Sequence, residues 1–276
     1  MRSDLNNLEL PEPHADFLKR ALSDLKDDPR IVGVAVGGSF VTQTIDEYSD
    51  LDLVIVVEPQ AYDSVMNERL RIADQLGPLL AGFTGEHVGE RRLLICLYGP
   101  PLLHVDLKFI SLDAASDRVE DPVVLWERDE RLTMALSEGA ARFPLPDLQW
   151  IEDRFWVWIH YGAAKIGRGE LFEAHDFLAF LRAQVLGPLA LMDRGERPSG
   201  VRKIEFAAPD LAAEMQSTLA SYDALSCARA LDSAATMYRK LRNKLATGSL
   251  SIREEAERAA MCYLNNTIIL FELTRR

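Results

Sequence analysis

Two aspartates, Asp50 and Asp52, stand at the start of an apolar run, LDLVIVV. Side chains alternate along a β-strand, so both carboxylates are expected on one face, with Cα atoms roughly 7 Å apart. Two carboxylates on the same face of a buried strand repel each other unless a cation lies between them. The pair therefore predicts a divalent-metal site.

A glycine turn precedes this pair in the chain. Residues 31–36 are apolar and mostly β-branched, which predicts a buried strand, and the run ends at Gly37, Gly38 and Ser39. Glycine lets the backbone turn sharply and approach a ligand closely. The two backbone N–H groups and the Ser39 hydroxyl are therefore expected to hold phosphate oxygens.

A third acidic candidate lies in the stretch LLHVDLKFI, where His104, Asp106 and Lys108 alternate with apolar residues. The alternation predicts a strand with its polar side chains on one face. If this strand pairs beside the first acidic strand, Asp106 joins the two aspartates there. Lys108 then either contacts a bound triphosphate or neutralises the carboxylates, and the role of His104 stays open.

The order of these segments, a glycine turn, then a loop, then a strand with two aspartates, resembles the motif of the nucleotidyltransferase superfamily. This superfamily includes DNA polymerase β and the antibiotic nucleotidyltransferases. That motif is a Gly-Ser turn, then Asp-x-Asp on a strand, and later a third acidic residue on a neighbouring strand. The resemblance is specific over residues 31–110. The sequence contains no Walker P-loop, dinucleotide-binding fingerprint, nucleophile elbow or H-E-x-x-H motif.

The resemblance implies a metal-dependent enzyme that transfers a nucleoside monophosphate, with AMP from ATP as the expected case, and releases pyrophosphate. Two Mg²⁺ ions about 3.5–4 Å apart are expected at Asp50, Asp52 and Asp106, and Mn²⁺ is a plausible substitute. Asp106 is also expected to take the proton of the acceptor hydroxyl. An aminoglycoside or a lincosamide is the implied acceptor, and antibiotic resistance is the implied role.

In related two-domain enzymes the helical domain supplies cationic residues to the nucleotide and acidic residues to the acceptor. By that resemblance Lys165 is expected to bind the nucleotide, and Glu170 and Asp176 are candidates for the acceptor. Five aromatic residues in the same region either stack on a base or a sugar, or form the core of a helical bundle. They are Trp150, Phe155, Trp156, Trp158 and Tyr161.

The charge of the chain is unevenly distributed. Residues 1–145 contain 26 Asp and Glu against 14 Lys and Arg, whereas residues 146–276 contain 17 of each. Such an acidic region disfavours a nucleic-acid substrate and favours a cationic small molecule, and the alternative is charge that serves solubility. No apolar run is long enough for a membrane span, and the N-terminus lacks the apolar region of a secretion signal.

Three scattered cysteines without C-x-x-C spacing indicate a reducing cytoplasm and no structural zinc.

The expected fold is α+β: a mixed sheet with flanking helices over residues 1–145, then a helical bundle over residues 146–276, with the site in the cleft between them. A homodimer is one option for the assembly. Helices are predicted over residues 15–25, 62–76, 148–167, 171–191, 211–219, 223–247 and 252–274.

Residues 92–98 and 102–110 are predicted to form a hairpin, residues 79–89 a short strand and a Gly-rich turn, and residues 113–130 a charged connector. Two other functions remain open. One is a smaller, toxin–antitoxin type of enzyme that adds AMP to a partner protein, which the large helical region disfavours. The other is a non-catalytic nucleotide-binding protein of the same fold, which the three aspartates disfavour.

Overall fold

The computed structural model describes residues 10–274 of the chain. The chain divides into two compact units, Met1–Phe143 and Pro144–Arg276. The first contains a six-stranded sheet with helices, and the second is helical, so the predicted α+β fold class is confirmed. No helix within residues 10–274 combines the length and the apolar composition needed to cross a bilayer.

The sheet of the first unit has the strand order β3-β4-β5-β2-β1-β6. Strands β2 and β5 are parallel, and every other neighbouring pair is antiparallel, so the sheet is mixed. The strands are β1 Ile31–Val36, β2 Leu51–Val57, β3 Leu79–Gly85, β4 Glu90–Tyr98, β5 Leu103–Ser111 and β6 Val123–Glu127. The helices of this unit are α1 Glu12–Asp27, α2 Tyr62–Gln75 and α3 Arg131–Ser137.

One face of the sheet is buried under α1 and α2. Apolar side chains of α1, among them Phe17 and Leu18, pack with Ile55 of β2 and Phe109 of β5 in the main core of the unit. Leu53, Val105 and Leu107 belong to the same core, so alternate residues of β2 and β5 point into it. The residues between them, which include Asp52 and Asp106, therefore point to the opposite face.

A smaller apolar cluster that includes Leu132 of α3, Val56 and Ile110 packs on that opposite face. The predicted charged connector is wrong over part of its length, because Val123–Glu127 forms strand β6 beside β1. The sequence VVLWE is apolar enough for a strand, but its charged neighbours hide that pattern. The short strand predicted within residues 79–89 is confirmed by β3, and the turn after it by Glu86–Val88 and Gly89. The predicted hairpin is confirmed by β4 and β5.

The second unit is a bundle around one apolar core. Its helices are α4 Leu148–Gly167, α5 Leu171–Leu181, α6 Gly187–Asp193, α7 Ile204–Ala207, α8 Pro209–Met215, α9 Ala224–Leu245 and α10 Glu254–Thr274. The single helix predicted over residues 171–191 is interrupted by a π-helical turn, Arg182–Leu186, just before Gly187. A proline follows at Pro188, which lacks the N–H that a regular helix would need there.

Candidate active site

The three predicted aspartates lie together at one end of the two parallel strands. Asp52 of β2 is directly opposite Asp106 of β5 in the register of the sheet, and Asp50 is located just before β2. All three side chains are half-buried, and each offers a carboxylate oxygen within 4.8 Å of the others. The sequence pattern predicted this convergence provided that the two strands pair, and they do.

The glycine turn packs directly against the triad. A 3-10 turn, Gly38–Phe40, follows β1, and the buried Phe40 ring fixes it to the core. Gly38 has a φ of +60°, and a Cβ at this position would lie 2.0 Å from Oδ2 of Asp52. Only glycine combines this backbone conformation with so close an approach. The position of the Asp52 carboxylate therefore requires glycine at position 38 of the turn.

The donors of the turn have different partners. The Gly37 N–H donates to the Asp52 carbonyl oxygen at 2.9 Å, so it connects the turn to β2 instead of pointing to a ligand. The Gly38 N–H donates to Oε1 of Glu120 at 3.0 Å. The Ser39 side chain is half-buried. Of the three expected phosphate donors, the Gly37 N–H is thus bound within the sheet and the Gly38 N–H is bound by a carboxylate.

The basic side chains of β5 contact carboxylates. His104 Nε2 lies 3.1 Å from Oδ1 of Asp106. Lys108 Nζ pairs with Oε2 of Glu90 at 2.9 Å. Arg92 also binds Glu90 through two hydrogen bonds, and these, with the help of Lys108, lower the pKa of Glu90 to about 2. Glu90 therefore stays ionised, and it holds the side chains of Arg92 and Lys108 beside strand β5, which carries Asp106.

A buried histidine supports the loop that leads into the triad. His14 of α1 is 2% exposed, and its Nε2 lies 2.7 Å from the carbonyl oxygen of Ser49, the residue before Asp50. A carbonyl oxygen can only accept, so Nε2 carries the proton of this hydrogen bond. The contact joins α1 to the start of β2 and fixes the backbone from which the Asp50 side chain extends.

Lys165, expected to bind the nucleotide, belongs to α4 in the second unit. Its Nζ pairs with Glu170 at 2.7 Å and with Glu173 at 3.0 Å, and these contacts raise its pKa. Tyr161 donates a hydrogen bond to Glu173 in the same group. Asp176 is exposed on α5. The structure thus places Lys165 and Glu170 in contact, and their functional roles remain predictions.

Four of the five aromatic candidates on α4 divide into two sets, and the fifth, Trp158, is partly buried against the bundle core. Phe155 and Trp156 are buried in the core of the bundle, where Phe155 stacks on Tyr238 at 3.7 Å between ring centroids. Trp150 and Tyr161 are 48% and 41% exposed. The core interpretation is therefore correct for the first set, whereas the second set remains accessible to a ligand.

The chemistry of the triad suits a hard divalent cation. Carboxylate oxygens are the ligands that Mg²⁺ and Mn²⁺ accept in proteins, and the donor set contains no thiolate or imidazole. Three carboxylates this close together also need a compensating positive charge. The three carboxylates therefore fit a divalent metal ion.

An acidic triad beside a Gly-Gly-Ser turn, on adjacent parallel strands of a mixed sheet, is the arrangement that the nucleotidyltransferase motif led us to expect. The family model described as "Nucleotidyltransferase domain" matches residues 18–88, a stretch that includes the turn, Asp50 and Asp52 and ends before Asp106. The resemblance seen in the sequence is confirmed, and with it the class of enzyme. A search of curated proteins finds no match.

Solved structures show weaker likenesses. An aminoglycoside 6-adenyltransferase from Bacillus subtilis is 15% identical with a TM-score of 0.38, over 90% of this chain and 96% of that one. A nucleotidyltransferase-like protein from Exiguobacterium sibiricum is 13% identical with a TM-score of 0.38, over 94% of this chain and 91% of that one. Likeness at this level does not assign an acceptor.

Three residues of the site were missed in the sequence: His14, Glu90 and Glu120. The hairpin predicted from the sequence could have indicated that residues just before its first strand lie near Lys108, and the observed register, with Leu93 opposite Lys108, agrees with this. No comparable signal exists for His14 or Glu120, which lie 35 and 82 positions from their partners. Both contacts depend on tertiary packing that no periodic pattern encodes.

Proposed function

We propose that the chain transfers AMP from ATP to a hydroxyl group of a small molecule and releases pyrophosphate. The observation that carries the proposal is the convergence of Asp50, Asp52 and Asp106 beside the turn of Gly37, Gly38 and Ser39. Neither half alone indicates this chemistry, because glycine turns and acidic strand ends are common. Together they supply a place for phosphate oxygens next to a place for cations.

Each residue has a specific part in the proposed reaction. The Gly38 N–H and the Ser39 hydroxyl bind phosphate oxygens of the NTP, and Gly37 contributes by having no side chain at the turn. Asp50, Asp52 and Asp106 would hold Mg²⁺, or Mn²⁺ in its place, with two ions in the expected arrangement. When bound, the metal neutralises charge on the α-phosphate and lowers the pKa of the acceptor hydroxyl.

The reaction is an in-line displacement at the α-phosphorus. The acceptor oxygen forms the new P–O bond, the bond to the pyrophosphate oxygen breaks, and the hydroxyl proton goes to the Asp106 carboxylate. His104, whose Nε2 lies 3.1 Å from Oδ1 of Asp106, is proposed to orient that carboxylate. Lys108, held beside the site by Glu90, and Lys165 are proposed to offset charge on the triphosphate.

The second unit is proposed to supply the acceptor-binding surface, as the resemblance implied. Its exposed aromatic residues and the acidic group around Glu173 are suited to a cationic, ring-containing molecule. The acidic first unit adds a field that attracts cations. An aminoglycoside therefore fits better than a lincosamide, which carries at most one positive charge. Resistance to such an antibiotic and a cytoplasmic location, which the three unpaired cysteines support, complete the proposal.

A screen of NTPs against an antibiotic panel tests this function. Pyrophosphate release and the mass of each acceptor are read together, in Mg²⁺ and in EDTA. The proposal expects one acceptor to gain the mass of a nucleoside monophosphate only with metal. A mass gain on a protein in a lysate, with no small molecule modified, would favour the AMP-adding alternative instead.

A further inference from the structure

The Glu120 carboxylate, which lies outside the motif in the sequence, contacts the backbone of the glycine turn. Its Oε1 accepts the hydrogen bond of the Gly38 N–H at 3.0 Å. A Cβ at Gly37 would lie 2.5 Å from the same oxygen and only 3.8 Å from the Cβ of Asp52. The missing side chain at Gly37 therefore makes room for Glu120, which reaches the turn from the segment that leads into β6.

This contact places an anionic oxygen where the proposed function needs a phosphate oxygen. Backbone N–H groups in a glycine turn bind carboxylate and phosphate oxygens by the same charge-assisted hydrogen bond. The turn thus already holds an anion supplied by the chain, and a triphosphate has to displace it. The Glu120 carboxylate therefore lies beside the turn at which the triphosphate is proposed to bind, and that turn packs against Asp52 of the triad.

We propose that Glu120 determines specificity for the metal-loaded form of the NTP, an inference that rests on the proposed function. A fourth carboxylate beside Asp50, Asp52 and Asp106 repels an anion in proportion to the charge of that anion. A metal-free NTP carries more negative charge than its metal complex, so Glu120 disfavours it more strongly. The residue would prevent unproductive binding of metal-free NTP in the site.

The charge of Glu120 can be removed with little change of shape. Glu120→Gln keeps an oxygen that can accept from the Gly38 N–H, and we expect it to tighten binding of metal-free NTP about tenfold. Binding of the Mg²⁺-loaded NTP should change by less than about threefold, because the cation offsets the repulsion. Glu120→Ala, which also frees the Gly38 N–H, should show at least the same gain without metal.

Calorimetry with a non-hydrolysable NTP analogue, in EDTA and in Mg²⁺, measures both affinities. Glu138→Gln is the matched control, since it makes the same charge change at an exposed position just after α3 and should leave both affinities unchanged. Titration of Mn²⁺ alone, followed by its electron paramagnetic resonance signal, examines whether Glu120 is instead a metal ligand.

The outcomes distinguish a failure of the Glu120 role from a failure of the proposed AMP transfer. If the wild type binds metal-loaded NTP but both Glu120 variants gain nothing in EDTA, the specificity role is wrong and the proposed function stands. A loss of Mn²⁺ affinity in Glu120→Gln would likewise overturn the role and make the residue a ligand. If the wild type binds no NTP even in Mg²⁺, both the inference and the proposed function fail.

Discussion

Asp52→Asn should stabilise the metal-free protein while it abolishes activity. The substitution removes one of three carboxylates whose oxygens lie within 4.8 Å of one another. Two unit charges at that distance repel by about 1 kcal/mol with water-like screening and by about 3 kcal/mol with the screening typical near a protein surface. Because the side chains are half-buried and other contacts of Asp52 are lost, we expect a net gain of about 1 kcal/mol, or about 3 °C in Tm.

Addition of Mg²⁺ should reverse the order of stabilities. A cation at ten times its Kd adds about 1.4 kcal/mol to the wild type, and much less to a variant that has lost a ligand. The wild type should therefore melt below Asp52→Asn in EDTA and above it in Mg²⁺. Turnover should fall by at least about 10³-fold, which corresponds to about 4 kcal/mol of transition-state stabilisation.

Thermal melts of both proteins in EDTA and in Mg²⁺ measure the reversal, and pyrophosphate release measures turnover. Asp74→Asn is the control, because it makes the same chemical change at an exposed position of α2. If Asp52→Asn melts well below the wild type in EDTA, the carboxylate is structural. Equal stabilisation of both proteins by Mg²⁺ would show that the cation binds elsewhere.

Four further expectations concern other residues and the acceptor. Gly38→Ala should abolish the Mg²⁺-dependent stabilisation and turnover, because its Cβ would collide with Oδ2 of Asp52. His14→Met should weaken Mn²⁺ binding about tenfold by releasing the Ser49 carbonyl, and His14→Gln should retain most of the affinity because its amide can donate there. Glu90→Gln should lower the free energy of unfolding at neutral pH by about 1 kcal/mol after allowance for solvent screening. The kcat/KM for a polycationic acceptor should fall steeply with salt, whereas kcat changes little.

Each of these has its own control. Gly89→Ala places a side chain at a φ of +77° with no atom within 4 Å, so it separates backbone strain from the collision at Gly38. For Glu90, the folded pKa of about 2 lies below the ordinary 4.5, so its stabilisation is complete above about pH 4.5 and is lost as the pH falls towards 2. Denaturation curves of wild type and Glu90→Gln should therefore converge at low pH. A neutral acceptor that shows the same salt dependence as an aminoglycoside would count against electrostatic attraction.

The first unit could be largely predicted because its chemistry lies on strands with clear alternation. The apolar set of Leu53, Val105 and Leu107 predicted which face of each strand is buried, and hence that the aspartates share the other face. Only the pairing of β2 with β5 had to be assumed. Strand β6 was missed because it is short and lies between charged residues, so its pattern is too weak to recognise alone.

Contacts between segments distant in sequence were beyond the reach of sequence patterns. Glu120 reaches Gly38 from an irregular segment, and His14 reaches Ser49 from a helix whose apolar face gives no reason to single out a histidine. The same limit applies to the second unit, where Glu152 is buried among Trp156, Tyr238 and Arg242 although its sequence position is typical of an exposed helix residue. These polar contacts arise from the packing of whole elements.

The stoichiometry of products with labelled ATP tests the central claim most directly. In Mg²⁺, with an acceptor identified by the screen, the account predicts one pyrophosphate for each acceptor that gains AMP, and no product with Asp106→Asn. Release of ADP with transfer of the γ-phosphoryl group to the acceptor would contradict it. So would undiminished AMP transfer by Asp106→Asn, because the triad on β2 and β5 would then not be the site of the reaction.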